Sequence, residues 1–104
     1  MVLLTGRHSA SAAETFTMAL MGRRPKICRV GKRPQGVFSD VLVLRLPNCW
    51  RIVLLNEIYV TADRESFDVR GIPPDVAVTG FSRKHFSRNR DPALEKALAL
   101  LGPE

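Results

Sequence analysis

The chain has 104 residues, 45% of them apolar and 25% charged, with a net charge of +6 at pH 7. That length fits one domain with a small core, and the composition excludes a disordered or collagen-like chain. Two cysteines without CxxC or Cys/His spacing argue against a disulfide framework and a zinc site. The positive charge suits acidic partners without specifying nucleic acid.

The opening "MVLLTG" is too short for a signal-peptide core or a membrane span, and Val2–Leu4 read as a buried strand. The polar turn "TGRHS" follows. From Ala10 to Met21, alanines, Phe16, Ala19 and Leu20 recur at helical spacing, and Gly22 suits a left-handed end. Ser9 and Ser11 therefore sit where a strand turns into a helix. Serine is a favoured N-cap, so Ser11 has a plain structural reading as well as a nucleophilic one. Glu14 falls in the first helical turn, where a carboxylate is favoured by the helix dipole alone.

Lys26–Val30 read as a second strand and "KRPQG" as a loop of breakers. "DVLVLRLPNCWRIVLLNEIYV" reads as two strands joined at Pro47-Asn48-Cys49, with Asn48-Cys49 placed as a two-residue turn needing positive φ at both positions. Glu57 is placed on the second of these strands, and Trp50 and Tyr59 are placed in the core or on a sheet face. In "FDVRGIPPDVAV" the prolines exclude helix. Gly71 suits positive φ, Asp75 suits a local turn bond, and Val76–Val78 suit a short strand. "SRKHFSRNR" reads as a basic loop with a solvated His85. Asp91 then caps a final helix, Pro92 opens it, and Leu94, Ala97, Leu98 and Leu101 share one face before Gly102-Pro103 stop it. The order β-α-β-β-β-β-α is an α/β or α+β sheet with helices packed on it.

The ordered pieces "SASAAE", "LPN–W", "NEIYVTAD", "FDVRGIPPDV" and "RDPALEKALALL" resemble the catalytic domain of the tail-specific (C-terminal-processing) serine peptidases. They are most similar to the branch of the tricorn core and the interphotoreceptor retinoid-binding protein. The resemblance runs from about Leu3 to Leu101. It implies a crotonase-like β-β-α subdomain, truncated at its N-terminal side. Residues 1–104 would form a single domain, the C-terminal part of the catalytic domain, with N-terminal and PDZ-type domains lying upstream of it.

The resemblance places the nucleophile at Ser11 and an acidic partner at Asp68. Ser11 would attack a peptide carbonyl through an acyl-enzyme route. The amides of Ser11 and Ala12 at the positive helix start would form part of the oxyanion hole. Some family members use a lysine in the segment that here reads Gly36-Val37-Phe38, so that dyad is not supported. The tricorn-like branch takes its histidine from an upstream segment. His8 and Ser9 are then turn residues. No cofactor or metal is implied. The implied partners are a peptide or protein substrate, the upstream part of the same enzyme, and a second copy through an exposed sheet edge.

The alternative is a non-catalytic binding or assembly module that keeps the peptidase fold. A nucleic-acid role for Arg23, Arg24, Lys26, Lys32 and Arg33 ranks below both. These residues lack interleaved aromatics and any recognition motif.

Overall fold

The computed structural model describes residues 1–79 and 82–102. The elements in chain order are β1 (Val2–Thr5), α1 (Ala12–Ala19), β2 (Cys28–Gly31), β3 (Val41–Arg45), β4 (Arg51–Leu55), β5 (Val76–Ala77), α2 (Arg83–Phe86) and α3 (Pro92–Leu101). The mixed α/β character matches the sequence expectation. The extra element is α2, in a stretch read as a basic loop. Its turn closes because Ser82 stands at the N-cap and its Oγ accepts from the His85 N–H at 3.2 Å.

β1, β2 and β5 form a parallel sheet in that order, and α1 makes the crossover between the first two strands. Val2 pairs with Cys28 and Thr5 with Gly31, while Val30 pairs with Val76. The central strand carries the burial, and Val30 is fully enclosed. β1 is only half-buried, against the expectation of a buried strand, because it is an edge strand with one neighbour. β2 lies two residues later than its predicted start. β5 is one residue shorter than predicted, although the Val78 N–H still donates to the Gly31 carbonyl at 2.9 Å.

α1 is shorter than its periodicity suggests and ends in a tight turn, with the Met21 N–H on the Met18 carbonyl and Gly22 at φ 74. α3 packs on β1 and β2. Asp91 Oδ1 caps it by accepting from the Ala93 and Leu94 amides at 3.0 and 3.1 Å. Of its predicted apolar face only Ala97 is buried; Leu94, Leu98 and Leu101 are exposed. Gly102 follows the helix, and the predicted stop at Pro103 lies outside the described residues.

β3 and β4 form a separate antiparallel hairpin, paired from Val41↔Leu55 to Arg45↔Arg51. Its turn differs from the predicted one. The Cys49 N–H bonds the Leu46 carbonyl at 3.0 Å, and only Cys49 has positive φ (67), not Asn48. Pro47 suits the second position of an ordinary turn, and Cys49 is the left-handed residue that follows it. Asn48 Oδ1 accepts from the Trp50 N–H at 3.2 Å. Trp50 is 71% exposed, so of the two placements expected for it, core or sheet face, the core is excluded. β4 ends at Leu55, so Glu57 lies beyond the strand, and its N–H donates to Ser39 Oγ at 3.1 Å.

Every residue of the two hairpin strands is exposed. Val41, Val43, Val53 and Leu55 lie on one face and Leu42, Leu44, Ile52 and Leu54 on the other, since paired residues share a face. Two apolar faces are the pattern of strands covered on both sides. The radius of gyration is 17.2 Å, against about 13 Å for a compact chain of this length.

The core is small. Phe38, Phe67 and Ile72 are buried together, and Met18, Met21 and Tyr59 pack against them. Phe38 and Phe67 belong to the two loops that hold the candidate site. Asp75 does not make the local turn bond expected of it. Its carboxylate takes the Arg29 backbone N–H and both ends of the Arg29 guanidinium at 2.9–3.0 Å, with Lys26 at 3.5 Å. The Arg29 hydrogen bonds hold its carboxyl well below the usual range.

Candidate active site

The strand-to-helix turn after β1 holds Ser11 at φ 54, ψ −123. A non-glycine residue at positive φ is strained, and such strain gathers where function over-determines the backbone. Ser11 occupies the N-cap position of α1, yet its side chain makes no capping bond. The plain reading of Ser11 as a side-chain cap therefore fails. Its carbonyl accepts from the Glu14 and Thr15 amides at 2.7 and 3.1 Å, so the backbone starts the helix and leaves the hydroxyl free of that task. Ser9, by contrast, is a turn residue, as expected: its N–H bonds the Gly6 carbonyl and its Oγ accepts from the Gly6 N–H.

The amides at the start of α1 divide into used and unused. Ala13 bonds the Ala10 carbonyl and Glu14 the Ser11 carbonyl. The Ser11 N–H donates to the Val37 carbonyl at 2.7 Å. Among the described residues, the Ala12 N–H is paired with no backbone carbonyl outside its own helix and lies at the positive helix end.

Glu14 is the residue that sequence reasoning undervalued. It is fully buried, and its carboxylate does more than favour the helix dipole. Oε1 accepts from the Gly36 N–H and Oε2 from the Val37 N–H, both at 2.8 Å. A buried carboxylate needs such donors, because an unpaired buried charge is costly. The signal available in the sequence was position. Glu14 and Thr17 lie three residues apart on one helical face, and both are buried.

Gly36 fits this clamp because it has no side chain. Its φ is +79, and a Cβ there would stand 2.5 Å from the Val69 carbonyl carbon and 2.6 Å from the Gly71 nitrogen. The close approach joins two loops. The Val69 N–H donates to the Gly36 carbonyl at 2.7 Å, and the Gly71 amide turns back to the Phe67 carbonyl. Asp68 precedes Val69 in this loop and is half-buried, with its N–H on Ser66 Oγ at 3.3 Å. Val69 is itself strained, a β-branched residue at φ 64. Ser11 and the Asp68–Val69 step thus attach to the same dipeptide, Gly36-Val37, through its two carbonyls.

The other candidates fall elsewhere. His8 Nε2 accepts from Arg7 Nε at 3.0 Å, so that ring nitrogen is engaged. His85 is not solvated as expected: it is half-buried, and its Nδ1 is enclosed without a partner among the described residues. Glu57 lies beside Tyr59 and raises the phenol above its ordinary range, chiefly by a side-chain hydrogen bond. The segment Gly36-Val37-Phe38 supplies no lysine. No group of three or more metal-ligating side chains forms among the described residues.

A cleft of about 620 Å³ opens at the carboxyl ends of the parallel strands, lined by Thr5, Arg7, His8, Ser9, Lys32 and Thr79 among others. Parallel sheets offer ligand crevices at that end. No helix among the described residues is long and apolar enough to cross a membrane.

Comparison with known proteins bears on the family and the fold. The sequence model of peptidase family S41 matches residues 1–78. Among solved structures, a protein assigned as a peptidase from Parabacteroides merdae superposes with a TM-score of 0.78 at 29% identity, over 98% of this chain and 31% of its own. Mature CPAF superposes with a TM-score of 0.63 at 19% identity, over 73% of this chain and 15% of its own, a likeness of fold. No curated protein sequence matches significantly. The chain thus spans about a third of the first relative's length, and with three quarters of its residues under the family model it belongs to peptidase family S41.

Proposed function

We propose that the chain is the nucleophile-bearing module of a serine peptidase, with Ser11 attacking the carbonyl carbon of a peptide substrate. The observation that carries this is the Ser11 backbone, strained at φ 54, ψ −123 on a strand-to-helix turn, with its hydroxyl unspent on the cap. A nucleophile on such an elbow is lifted clear of the sheet and set beside unpaired helix-start amides.

In the first step Ser11 Oγ bonds to the carbonyl carbon and its proton passes to a general base. The carbonyl oxygen becomes an oxyanion. On collapse the protonated base gives its proton to the leaving nitrogen, the C–N bond breaks and the amine departs. This leaves an ester that water hydrolyses, with the same base taking the water proton. The Ala12 N–H is the donor for the oxyanion. The Ser11 N–H joins it only by giving up the Val37 carbonyl. Asp68, one residue from the Val69 anchor, orients the base. The base comes from a segment of the enzyme outside these residues, and the subdomain is crotonase-like.

The test is hydrolysis of a fluorogenic peptide library by the chain combined with the upstream portion of the Parabacteroides relative. Turnover lost in Ser11→Ala supports the reading. A complex that forms, seen by size-exclusion chromatography, but hydrolyses nothing favours the non-catalytic assembly role that the bare hairpin also suits.

A further inference from the structure

We infer that Glu14 is a positioning residue, which holds the Ser11 elbow and the Asp68 loop in register through the Gly36-Val37 dipeptide. This rests on Ser11 being the nucleophile as far as its catalytic meaning goes, but its geometry stands independently. All four backbone polar groups of the dipeptide are used. Its two N–H groups donate to the two Glu14 oxygens at 2.8 Å. Its two carbonyls accept from the residues at strained φ, Gly36 from Val69 and Val37 from Ser11, each at 2.7 Å. The Glu14 carboxylate is thus tied to both flanks of the site through the dipeptide, and the Glu14 N–H bonds the Ser11 carbonyl directly at 2.7 Å.

Two features make the carboxylate specific. Two parallel N–H donors need two acceptor oxygens, which glutamate has and glutamine lacks. Full burial of Glu14 removes water as a substitute acceptor. The Ser11 turn is held a second time by the Gln35 N–H on the Ser9 carbonyl at 3.1 Å. Losing the Glu14 carboxylate would therefore loosen the elbow rather than unfold the turn, with β1 and β2 still paired.

The experiment measures amide hydrogen exchange and Ser11 phosphonylation in the full chain, as wild type, Glu14→Gln and Glu14→Asp. Glu14→Gln is expected to lower protection of the Ser11, Val37 and Val69 amides at least tenfold while the Val30 amide changes less than twofold. Where the wild type is phosphonylated at Ser11, the same variant is expected to slow that reaction at least tenfold, with Glu14→Asp partly restoring it. Unchanged protection at Ser11 and Val69 in Glu14→Gln would overturn the inference. Should Glu14→Gln not fold, scalar couplings across the hydrogen bonds from the Gly36 and Val37 nitrogens to the Glu14 carboxyl carbon decide it in the wild type. Their presence supports the clamp and their absence overturns it. A wild type with the expected exchange pattern but no phosphonylation sinks the nucleophile and leaves the clamp standing.

Discussion

The Ser11 amide and the Val69 amide donate, each at 2.7 Å, to adjacent carbonyls of one dipeptide, those of Val37 and Gly36. Both donors carry positive φ although neither is glycine. The strain at each position is therefore balanced against the same two-residue segment. That segment is in turn fixed by the packing of Phe38, which is almost fully buried against Phe67 and Ile72.

Gly36 should not tolerate a side chain. In Gly36→Ala the new methyl meets backbone atoms of residues 69–71 at under 3 Å, and a backbone cannot swing aside as a side-chain tip does. The expected loss is about 3 kcal/mol or more in urea unfolding. Gly6→Ala meets nothing within 4 Å, and it should change stability by less than about 1 kcal/mol.

Asp75 should make the fold acid-sensitive in a defined direction. Arg29 holds the folded-state carboxyl below its ordinary value of 3.8. A depressed folded value means the stabilisation is fully present above the unfolded pKa, near 4, and is lost as pH falls below it toward the folded value. Asp75→Asn should therefore cost about 2 kcal/mol at pH 7 and progressively less below pH 4. The gap between the urea midpoints of the two proteins should narrow steadily from pH 4 to pH 2.

The hairpin should govern self-association. Leu42, Leu44, Ile52 and Leu54 present an uncovered apolar face, and such faces mark association surfaces. Leu42→Lys with Leu44→Lys should shift the chain toward monomer in light scattering, with little change in its unfolding midpoint, because these side chains already face solvent.

Asp91 should matter only to α3. Its Oδ1 serves two amides, so Asp91→Ala should cost about 1 kcal/mol, read as a lower thermal midpoint.

How much was legible in the sequence depended on whether local rules or distant contacts decided. The helix cap at Asp91, the glycine at position 71 with its φ of 66, and the strand-to-helix turn at Ser11 follow from local chemistry, and the structure contains them. Asp75 was misread because its partner Arg29 is 46 residues away, and Glu14 because its donors are 22 and 23 residues away. His85 reads as solvated because its neighbours in sequence are charged, yet its burial is set by contacts that sequence does not order. The apolar hairpin was recognised as strands, but its two-sided exposure follows from what does not pack on it.

The most direct test of the nucleophile is site-resolved mass spectrometry after treatment with a fluorophosphonate, on the chain mixed with the upstream portion of the Parabacteroides relative. The account predicts a phosphonyl adduct on Ser11 alone, absent after heat unfolding and absent in Ser11→Ala. Adducts spread over Ser9 and other serines, or none at Ser11 in a complex shown to have formed, would contradict it.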